Sequence, residues 1–302
     1  MSESLLLQMK NKLGGMSKSD KAIAAFILEN YEKAAYMTAA AIGRQAGVCE
    51  ATVVRFVRKL GFDGYPQFKR ALQETIRNSL TSMQRIELTS ARLGDGDILT
   101  GVLSNDTDLL RRTMEMADHE QFRLAVDAIC GARGIYVVGT RSAAPLASFI
   151  SYYLSMLFEF VTVIDPSNES ELFEQMLHIS GEDVCIGISF PRYSKKAVKA
   201  MRFASDSGAR CIAVTDSSES PLAQFADFLL LAQTDMASIV DSLVAPFSLV
   251  NALLAATANR RQNELIERFQ RLERLWDEYD VYEKTDVYLP GSASGTGSGG
   301  SQ

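Results

Sequence analysis

The stretch Thr38–Gly61, TAAAIGRQAGVCEATVVRFVRKLG, has the pattern of two short helices joined by a tight turn. Thr38 is a favoured N-cap residue, and Gly47 ends the first helix because glycine takes the left-handed C-cap conformation at little cost. A second helix is expected from about Cys49 to Leu60. This spacing is typical of a helix-turn-helix, whose second helix enters the major groove of DNA.

Three cations, Arg55, Arg58 and Lys59, lie on the predicted second helix. They favour a DNA-reading helix over the alternative, an ordinary αα-hairpin in a helical core. Thr52 and Arg55 are predicted to reach bases or adjacent phosphates, whereas the other cations would hold phosphates without choosing sequence. For each of those cations alone, a solvated helix face is the alternative. The set predicted to contact DNA is Thr38, Glu50, Ala51, Thr52, Arg55, Arg58, Lys59, Lys69 and Arg70.

Length and composition indicate a soluble protein of two domains. The chain has 302 residues, of which 47% are hydrophobic and 23% charged, as in ordinary globular proteins. It contains no apolar run of the ~18 residues that span a bilayer, and its N-terminus does not resemble a signal peptide, so we expect a cytoplasmic protein without a membrane partner. The four cysteines are scattered and there are two histidines, which excludes a disulfide framework, a zinc site or a histidine-rich metal site.

Charge is unevenly distributed along the chain. Residues 1–80 contain 12 Lys and Arg against 7 Asp and Glu, although the whole chain has a net charge of −6. A basic head on an acidic body suits a nucleic-acid module fused to a domain that does not touch DNA. Chance segregation of solvated charge is the alternative.

Within the head, Ser17-Lys-Ser-Asp20 resembles a capping box and precedes apolar residues at helical spacing, while Pro66 is placed to open a further helix. We assign residues 1–80 to the helix-turn-helix domain, the polar residues 81–96 to a linker and residues 97–284 to a second domain. The tail 285–302, rich in Gly and Ser, is predicted to be flexible and to be a cloning remnant.

The second domain alternates short apolar strands with amphipathic helices, after two helices at about 98–117 and 119–131. This pattern predicts a doubly wound, parallel α/β sheet of the flavodoxin-like kind. Helices are expected at about Ala143–Leu157, Glu169–Ile179, Lys195–Ser207, Ile239–Asn259 and Asn263–Tyr282. Strands are expected at Ile135–Val138, Phe160–Ile164, Val184–Ser189, Cys211–Thr215 and Phe228–Leu231.

Two segments rich in hydroxyl groups follow strands of this sheet and precede helices. Ligands of doubly wound sheets bind outside the carboxyl ends of the strands, and backbone N–H groups at helix starts favour anions. Together with an Arg in each segment, this predicts a site for a phosphate-bearing ligand. The predicted ligand-binding residues are Gly139, Thr140, Arg141, Ser142, Ser189, Arg192 and Ser194.

Other chemistries have weaker support. Neither GxGxxG after a strand nor GxxxxGK[ST] is present, which argues against a dinucleotide or P-loop cofactor, and we predict no cofactor. Thr215-Asp216-Ser217-Ser218 is interpreted as turn and cap residues. An isomerase would need a general base, for which Glu169, Glu171 and His178 are candidates, although surface carboxylates on a helix are the commoner explanation.

The N-terminal block, MTAAAIGRQAGVCEATVVRFVRKLGFDGYPQFKRAL, closely resembles the helix-turn-helix domain of RpiR-type bacterial transcription regulators. The segments GTRSAAPLA and GISFPRYSKKAV resemble the ligand loops of the SIS (sugar isomerase) domain that these regulators carry. The resemblance covers about residues 5–283. It implies a regulator that binds a phosphosugar or amino-sugar phosphate, with a consequent change in DNA binding and SIS domains that pair into dimers or tetramers. A two-fold protein would read a palindromic operator.

The chain departs from the family patterns in both ligand loops and in the helix-turn-helix. SIS loops commonly read GxGxSG and SxSGxT, and here Arg141 replaces the second glycine while Pro191 and Arg192 replace Ser-Gly. Ser189 and Ser194 fit the second pattern, and Ser142 lies one position early in the first. In the helix-turn-helix, Cys49 stands where Ser is usual and Gly43 where Ala is frequent, each expected to cost the helix ~1 kcal/mol.

The function predicted from the sequence is a DNA-binding transcription regulator whose SIS domain senses a phosphosugar, with no catalytic activity. Two alternatives are a sugar-phosphate isomerase and a DNA-binding protein whose SIS domain only dimerises.

Overall fold

The computed structural model describes residues 5–77, residue 83, residues 97–235 and residues 241–282. The predicted linker 81–96, apart from residue 83, and the predicted tail 285–302 lie outside the described residues. In the described helices none is long and apolar enough to cross a membrane.

Residues 5–77 form a helical head with its own apolar core. Ile23, Ile42, Val53, Phe56 and Phe68 are fully or almost fully buried there, because each helix turns one apolar stripe toward its neighbours. The predicted helix pair is confirmed as α4 and α5. The helices are α1 (Leu5–Lys12), α2 (Lys18–Glu29), α3 (Tyr31–Ala34), α4 (Ala39–Ala46), α5 (Glu50–Lys59) and α6 (Tyr65–Arg77).

Capping side chains start α2 and α4, and a glycine ends α4, at the positions that the sequence indicated. The Ser17 hydroxyl accepts a hydrogen bond from the Asp20 N–H (3.3 Å) at the start of α2, and the Thr38 hydroxyl accepts one from the Ala41 N–H (3.2 Å) at the start of α4. Gly47 follows α4 in the left-handed conformation, with φ of 69°. These contacts satisfy amide groups that a helix end leaves without intrahelical partners.

An ion pair fastens the end of α5 to the start of α2. The Lys59 ammonium lies 2.7 Å from the Asp20 carboxylate, whose side chain is only 6% exposed. The hydrogen bond from Lys59 is the largest cause that lowers the pKa of Asp20 below its ordinary value of 3.8, outweighing burial, which raises it. Lys59 therefore helps to hold the head together.

Replacing Lys59 with Met should destabilise the head by about 1 kcal/mol, because Asp20 loses its partner while water still screens the exposed lysine end of the pair. Since the folded pKa of Asp20 is depressed, the stabilisation is present above its unfolded pKa and disappears as the pH falls through the folded value. Urea unfolding of the full chain between pH 3 and 7 measures both effects. Lys21→Met, at an exposed lysine of α2, is the control; an equal loss in both variants would contradict the structural role.

The second part of the chain contains a five-stranded parallel sheet in the order β2-β1-β3-β4-β5 with helices on its faces. All five residues of β3 are buried, as expected for a central strand covered on both faces. The predicted flavodoxin-like fold is confirmed. The strands are β1 (Ile135–Gly139), β2 (Val161–Ile164), β3 (Val184–Ile188), β4 (Arg210–Thr215) and β5 (Phe228–Leu231).

The helices of this part differ from the predicted ones mainly at their ends. The helix predicted over about Ile239–Asn259 begins at Val244, and Ile239 itself lies outside the described residues. Just before the helix, the Ser242 N–H donates to the Asp235 carbonyl and the Ser242 hydroxyl donates to the Asp106 carboxylate (2.6 Å). The helix expected to reach Ile179 ends at Gln175. The bounds are α7 (Ile98–Met116), α8 (His119–Cys130), α9 (Ala144–Leu157), α10 (Glu169–Gln175), α11 (Lys195–Asp206), α12 (Val244–Arg260) and α13 (Gln262–Glu278).

The topology creates one natural ligand position. β1 and β3 are neighbours, with Gly139 opposite Ile188, but the chain leaves them toward different partners, β2 and β4. At such a switch point the loops after the two strands diverge and leave a crevice. Gly139 allows α9 to approach β1, since an added Cβ would lie 2.9 Å from both the Ala143 carbonyl oxygen and the Ala147 Cβ.

Candidate DNA-reading helix and ligand cleft

The turn between α4 and α5 is tight, as the sequence indicated. The Val48 N–H donates to the Gly43 carbonyl (2.8 Å), which folds the turn back over α4. A Cβ at the buried Gly43 would lie 2.7 Å from the Val48 carbonyl oxygen, closer than real side chains come to a backbone atom. Gly43 is thus explained by this close approach, and the angle between α4 and α5 depends on it.

The first turn of α5 presents a small polar cluster to solvent. The Arg55 guanidinium donates to the Thr52 hydroxyl (3.3 Å), and the Cys49 thiol lies 3.2 Å from the same oxygen. This hydroxyl is the largest cause that lowers the pKa of Cys49, followed by the Thr52 N–H. Cys49 makes no side-chain hydrogen bond that caps α5. Glu50 and Ala51 are exposed beside this cluster.

The remaining cations of the head divide into two groups. Lys69 donates to the Tyr36 carbonyl (3.3 Å) and Lys59 is paired with Asp20, so both bind the head itself. Arg58 donates to the Asp63 carbonyl (3.3 Å) but stays exposed, as does Arg70. Lys59 and Lys69 are thus bonded to other segments of the head, whereas the exposed Arg55 and Arg58 bond to residues close to them in the sequence.

Two further polar residues, Arg44 and Gln45, are exposed in the last turn of α4, next to the Gly47 turn. The sequence prediction did not include them, because the cations of the second helix carried that prediction. Arg44 lies about half a turn away from the buried Ile42, as expected for the exposed side of an amphipathic helix.

A cleft lies at the switch point between β1 and β3. Of the seven residues predicted to bind the ligand, six line its wall and Gly139 is buried as the last residue of β1. The six are Thr140, Arg141, Ser142, Ser189, Arg192 and Ser194. Residues that the sequence did not indicate complete the wall: Ala143, Phe190, Pro191 and Asp241.

Hydroxyl groups connect the two loops of the cleft. The Thr140 hydroxyl donates to the Ser194 hydroxyl oxygen (2.7 Å), which also accepts from the Ala197 N–H (3.4 Å). Ser189 accepts from the Ser194 N–H (3.0 Å). Since a hydroxyl has one proton and two lone pairs, Ser194 accepts twice and keeps its proton to donate to a ligand.

The cleft is also favourable for anions because a helix starts on each side of it. Ser194 is the N-cap of α11, and the short 3-10 turn Arg141–Ala143 leads into α9. Helix N-termini present N–H groups and the positive end of the helix dipole. The arrangement suits a phosphate group that accepts from hydroxyls and amides of both loops.

The two arginines of the cleft have unusual backbone conformations. Arg141 has φ of 59° and Arg192 has φ of 63°, and among the described residues the one other non-glycine residue with positive φ is Asp280. An L-residue pays about 1–2 kcal/mol for the left-handed region. These are the positions where the family patterns have glycine, so the structure accounts for the glycines by conformation and shows that both arginines are held there.

The segment after β4 is hydrogen-bonded to one of the two cleft loops. The Tyr193 hydroxyl donates to the Asp216 carboxylate (2.8 Å), and the buried Thr215 hydroxyl donates to Ser220 (2.8 Å). The first contact joins the loop that carries Arg192 to the residue after β4, and the second joins the end of β4 to the segment after it. Asp216, predicted only as a turn or cap residue, therefore also bonds to one of the cleft loops.

The candidate bases of the isomerase alternative lie outside the cleft wall. Glu169 pairs with Lys199 (2.5 Å), and Glu171 accepts from the Ser167 N–H (2.7 Å). His178 is exposed and its carbonyl accepts from Arg133. In the part of the wall that the structure describes, Asp241 is the one carboxylate. Within the described ranges, no three His, Cys, Asp or Glu residues are grouped as metal ligands.

Comparisons with known proteins match both parts of the chain. The family model for the helix-turn-helix domain of the rpiR family matches residues 3–79, and the model for the SIS domain matches residues 128–256. An HTH-type transcriptional regulator from Clostridium perfringens is 28% identical over 228 residues, which cover 75% of this chain and 80% of that protein.

Solved structures give the same result. The sugar isomerase domain of an RpiR transcription factor from Sphaerobacter thermophilus is 32% identical with a TM-score of 0.55, covering 58% of this chain and 97% of that one. The Vibrio vulnificus NanR protein, solved in complex with ManNAc-6P, is 19% identical with a TM-score of 0.56, covering 91% of this chain and 98% of that one. The second likeness concerns the fold.

Proposed function

The chain belongs to the rpiR family of helix-turn-helix transcriptional regulators with a SIS domain, and from this premise we propose that a phosphosugar bound in its cleft switches operator binding. The observation that carries the proposal is the hydroxyl-lined cleft between two helix starts at the β1–β3 switch point. A phosphate fits its donors, and the sugar would extend toward the mouth of the cleft. The NanR complex with ManNAc-6P supports this ligand class in a protein of the same fold.

DNA recognition falls to α5 in this proposal. Thr52 and Arg55 would contact bases or the adjacent phosphates, while Arg58 and Arg70 would hold the backbone. The exposed Thr38, Glu50 and Ala51 would lie at the same surface. Lys59 and Lys69 would contribute charge while keeping their contacts within the head.

Self-association would match this head to a palindromic operator, because a two-fold protein places two reading helices on two half-sites. An apolar groove between α9, α12 and α13, lined by Phe149, Tyr153, Leu254, Leu265 and Phe269 among others, supports a homodimer or homotetramer. Tyr152, on the same helix as Phe149, is 57% exposed, which is unusual for an aromatic side chain outside an interface.

Isothermal titration of the full chain with a panel of aldose, ketose and amino-sugar phosphates tests ligand binding. One panel member should bind, and Ser194→Ala should weaken it by roughly tenfold to a hundredfold, because a hydrogen bond to a charged group is lost. Ser170→Ala, at an exposed serine of α10, is the matched control, and melting temperatures check the lost cap of α11. If no phosphosugar bound, the SIS domain would be a dimeriser and the proposal would be wrong.

A further inference from the structure

We propose that the ligand carries a second anionic group beside its phosphate, and that Arg141 and Arg192 bind it. This inference rests on the proposed function, since it concerns the same cleft. The expected ligand class is a phosphosugar with an added carboxylate or a second phosphate.

Both arginines of the cleft have a strained backbone conformation. Arg141 and Arg192 both occupy left-handed positions, one in each loop of the cleft. Glycine would adopt either conformation without strain. Strained conformations of this kind persist only where the surrounding structure determines them, and they cluster at ligand-binding sites. Each loop thus has one residue in an unfavourable backbone conformation, and that residue is an arginine of the cleft wall.

The charged groups of the cleft wall are more positive than negative. The hydroxyls of Ser189 and Ser194 and the two helix starts already provide donors for one phosphate. Two guanidinium groups add two positive charges, and in the described wall Asp241 is the one opposing carboxylate. The cleft therefore retains positive charge beyond what the hydroxyl cradle needs, and both arginine side chains are exposed toward solvent.

The guanidinium group of arginine selects anions by its geometry. A guanidinium binds carboxylates and phosphates through two parallel N–H···O contacts, a geometry that neutral hydroxyls of a sugar do not match. Carboxylate and phosphate share this recognition, so the shared feature is a second anion at the far end of the sugar. A neutral or cationic substituent there would leave two guanidiniums without a partner from the ligand.

Two matched ligand pairs test the inference by titration of the full chain. Glucose 6-phosphate is compared with 6-phosphogluconate, which adds a carboxylate, and fructose 6-phosphate with fructose 1,6-bisphosphate, which adds a phosphate. In at least one pair the member with two anionic groups should bind at least tenfold more tightly. The pair that shows the difference identifies the second group.

The variants Arg141→Gly and Arg192→Gly remove the charge and also release the backbone, so they should fold at least as well and show equal or higher melting temperatures. Each should reduce the difference within the responsive pair, and the double variant should abolish it. Arg141→Lys keeps the positive charge and should preserve part of the difference.

Three results of these titrations would contradict the inference. If monophosphates bind and their partners with two anions bind no more tightly, the inference is wrong and the proposed function stands. The inference is also wrong if the difference survives in the double glycine variant. If none of the four sugars and no member of the wider phosphosugar panel binds, the proposed function itself fails, and the inference fails with it.

Discussion

Replacing Gly43 with Ala is expected to reduce operator affinity at least tenfold, and Gly43→Val is expected to abolish operator binding. The added Cβ would lie 2.7 Å from the Val48 carbonyl oxygen, which belongs to the backbone of the turn and has no flexible side chain to move. Relief therefore requires α4 and α5 to separate, and overpacking of this kind costs about 1–3 kcal/mol. Fluorescence anisotropy with an operator selected from random duplexes measures the loss.

A second glycine of the same turn provides the control. Gly47 has φ of 69° but nothing within 4 Å of an added Cβ, so Gly47→Ala carries a conformational cost without a collision. It should therefore weaken operator binding less than Gly43→Ala does. Equal affinities of the Gly43→Ala variant and the unchanged protein would show that the turn geometry is not critical for reading DNA.

Replacing Arg55 with Ala is expected to lower affinity for the selected operator by about 1–3 kcal/mol, or roughly fivefold to 150-fold, and to relax sequence preference at one position. Arg55 is exposed on α5 and its guanidinium is oriented by the Thr52 hydroxyl at 3.3 Å. Selection of operators by the variant protein, followed by anisotropy, measures both effects.

Arg70→Ala is the matched comparison, because Arg70 is an exposed cation of the head on α6. As a phosphate contact it should weaken binding to all duplexes about equally and reduce the slope of log affinity against log salt. If Arg55→Ala behaves in the same way, Arg55 contacts phosphates only. Unchanged affinity in Arg55→Ala would remove it from the interface.

Periodicity and cap residues were sufficient to predict most of the fold. The strands were located to within a residue at their ends because continuous apolar runs such as VCIGI are buried on both faces. Thr38 and Gly47 defined α4 because capping chemistry is local. The helix α12 begins at Val244, later than predicted, because Ser242 bonds Asp235 and Asp106, and Asp106 lies 136 residues away in the sequence.

Distant contacts also limited what the sequence could predict about the sites. Nothing near Lys59 indicates that its ammonium binds Asp20, 39 residues earlier, so the lysine resembled a phosphate contact. Asp241 enters the cleft wall from the segment before α12, which carries no motif. The loops after β1 and β3 were predictable because strand ends at a switch point adjoin each other by topology.

Gly43 and the two cleft arginines show how departures from a pattern acquire a physical explanation. Gly43 replaces a frequent alanine because the Val48 carbonyl occupies the space of a Cβ. Arg141 and Arg192 replace flexible glycines at positions of positive φ, where a side chain is costly. Glycine at position 43 avoids a steric conflict. The arginines at positions 141 and 192 add positive charge but also strain the backbone.

The central claim is that ligand in the cleft and operator on α5 are thermodynamically coupled. Operator affinity of the full chain, measured by anisotropy with and without a saturating phosphosugar identified by titration, tests it directly. We predict a change of at least fivefold, a reciprocal change of the same factor in ligand affinity when operator is bound, and a shift of the response to higher ligand concentration in Ser194→Ala. Identical operator affinities in the presence and absence of a bound phosphosugar would contradict the account.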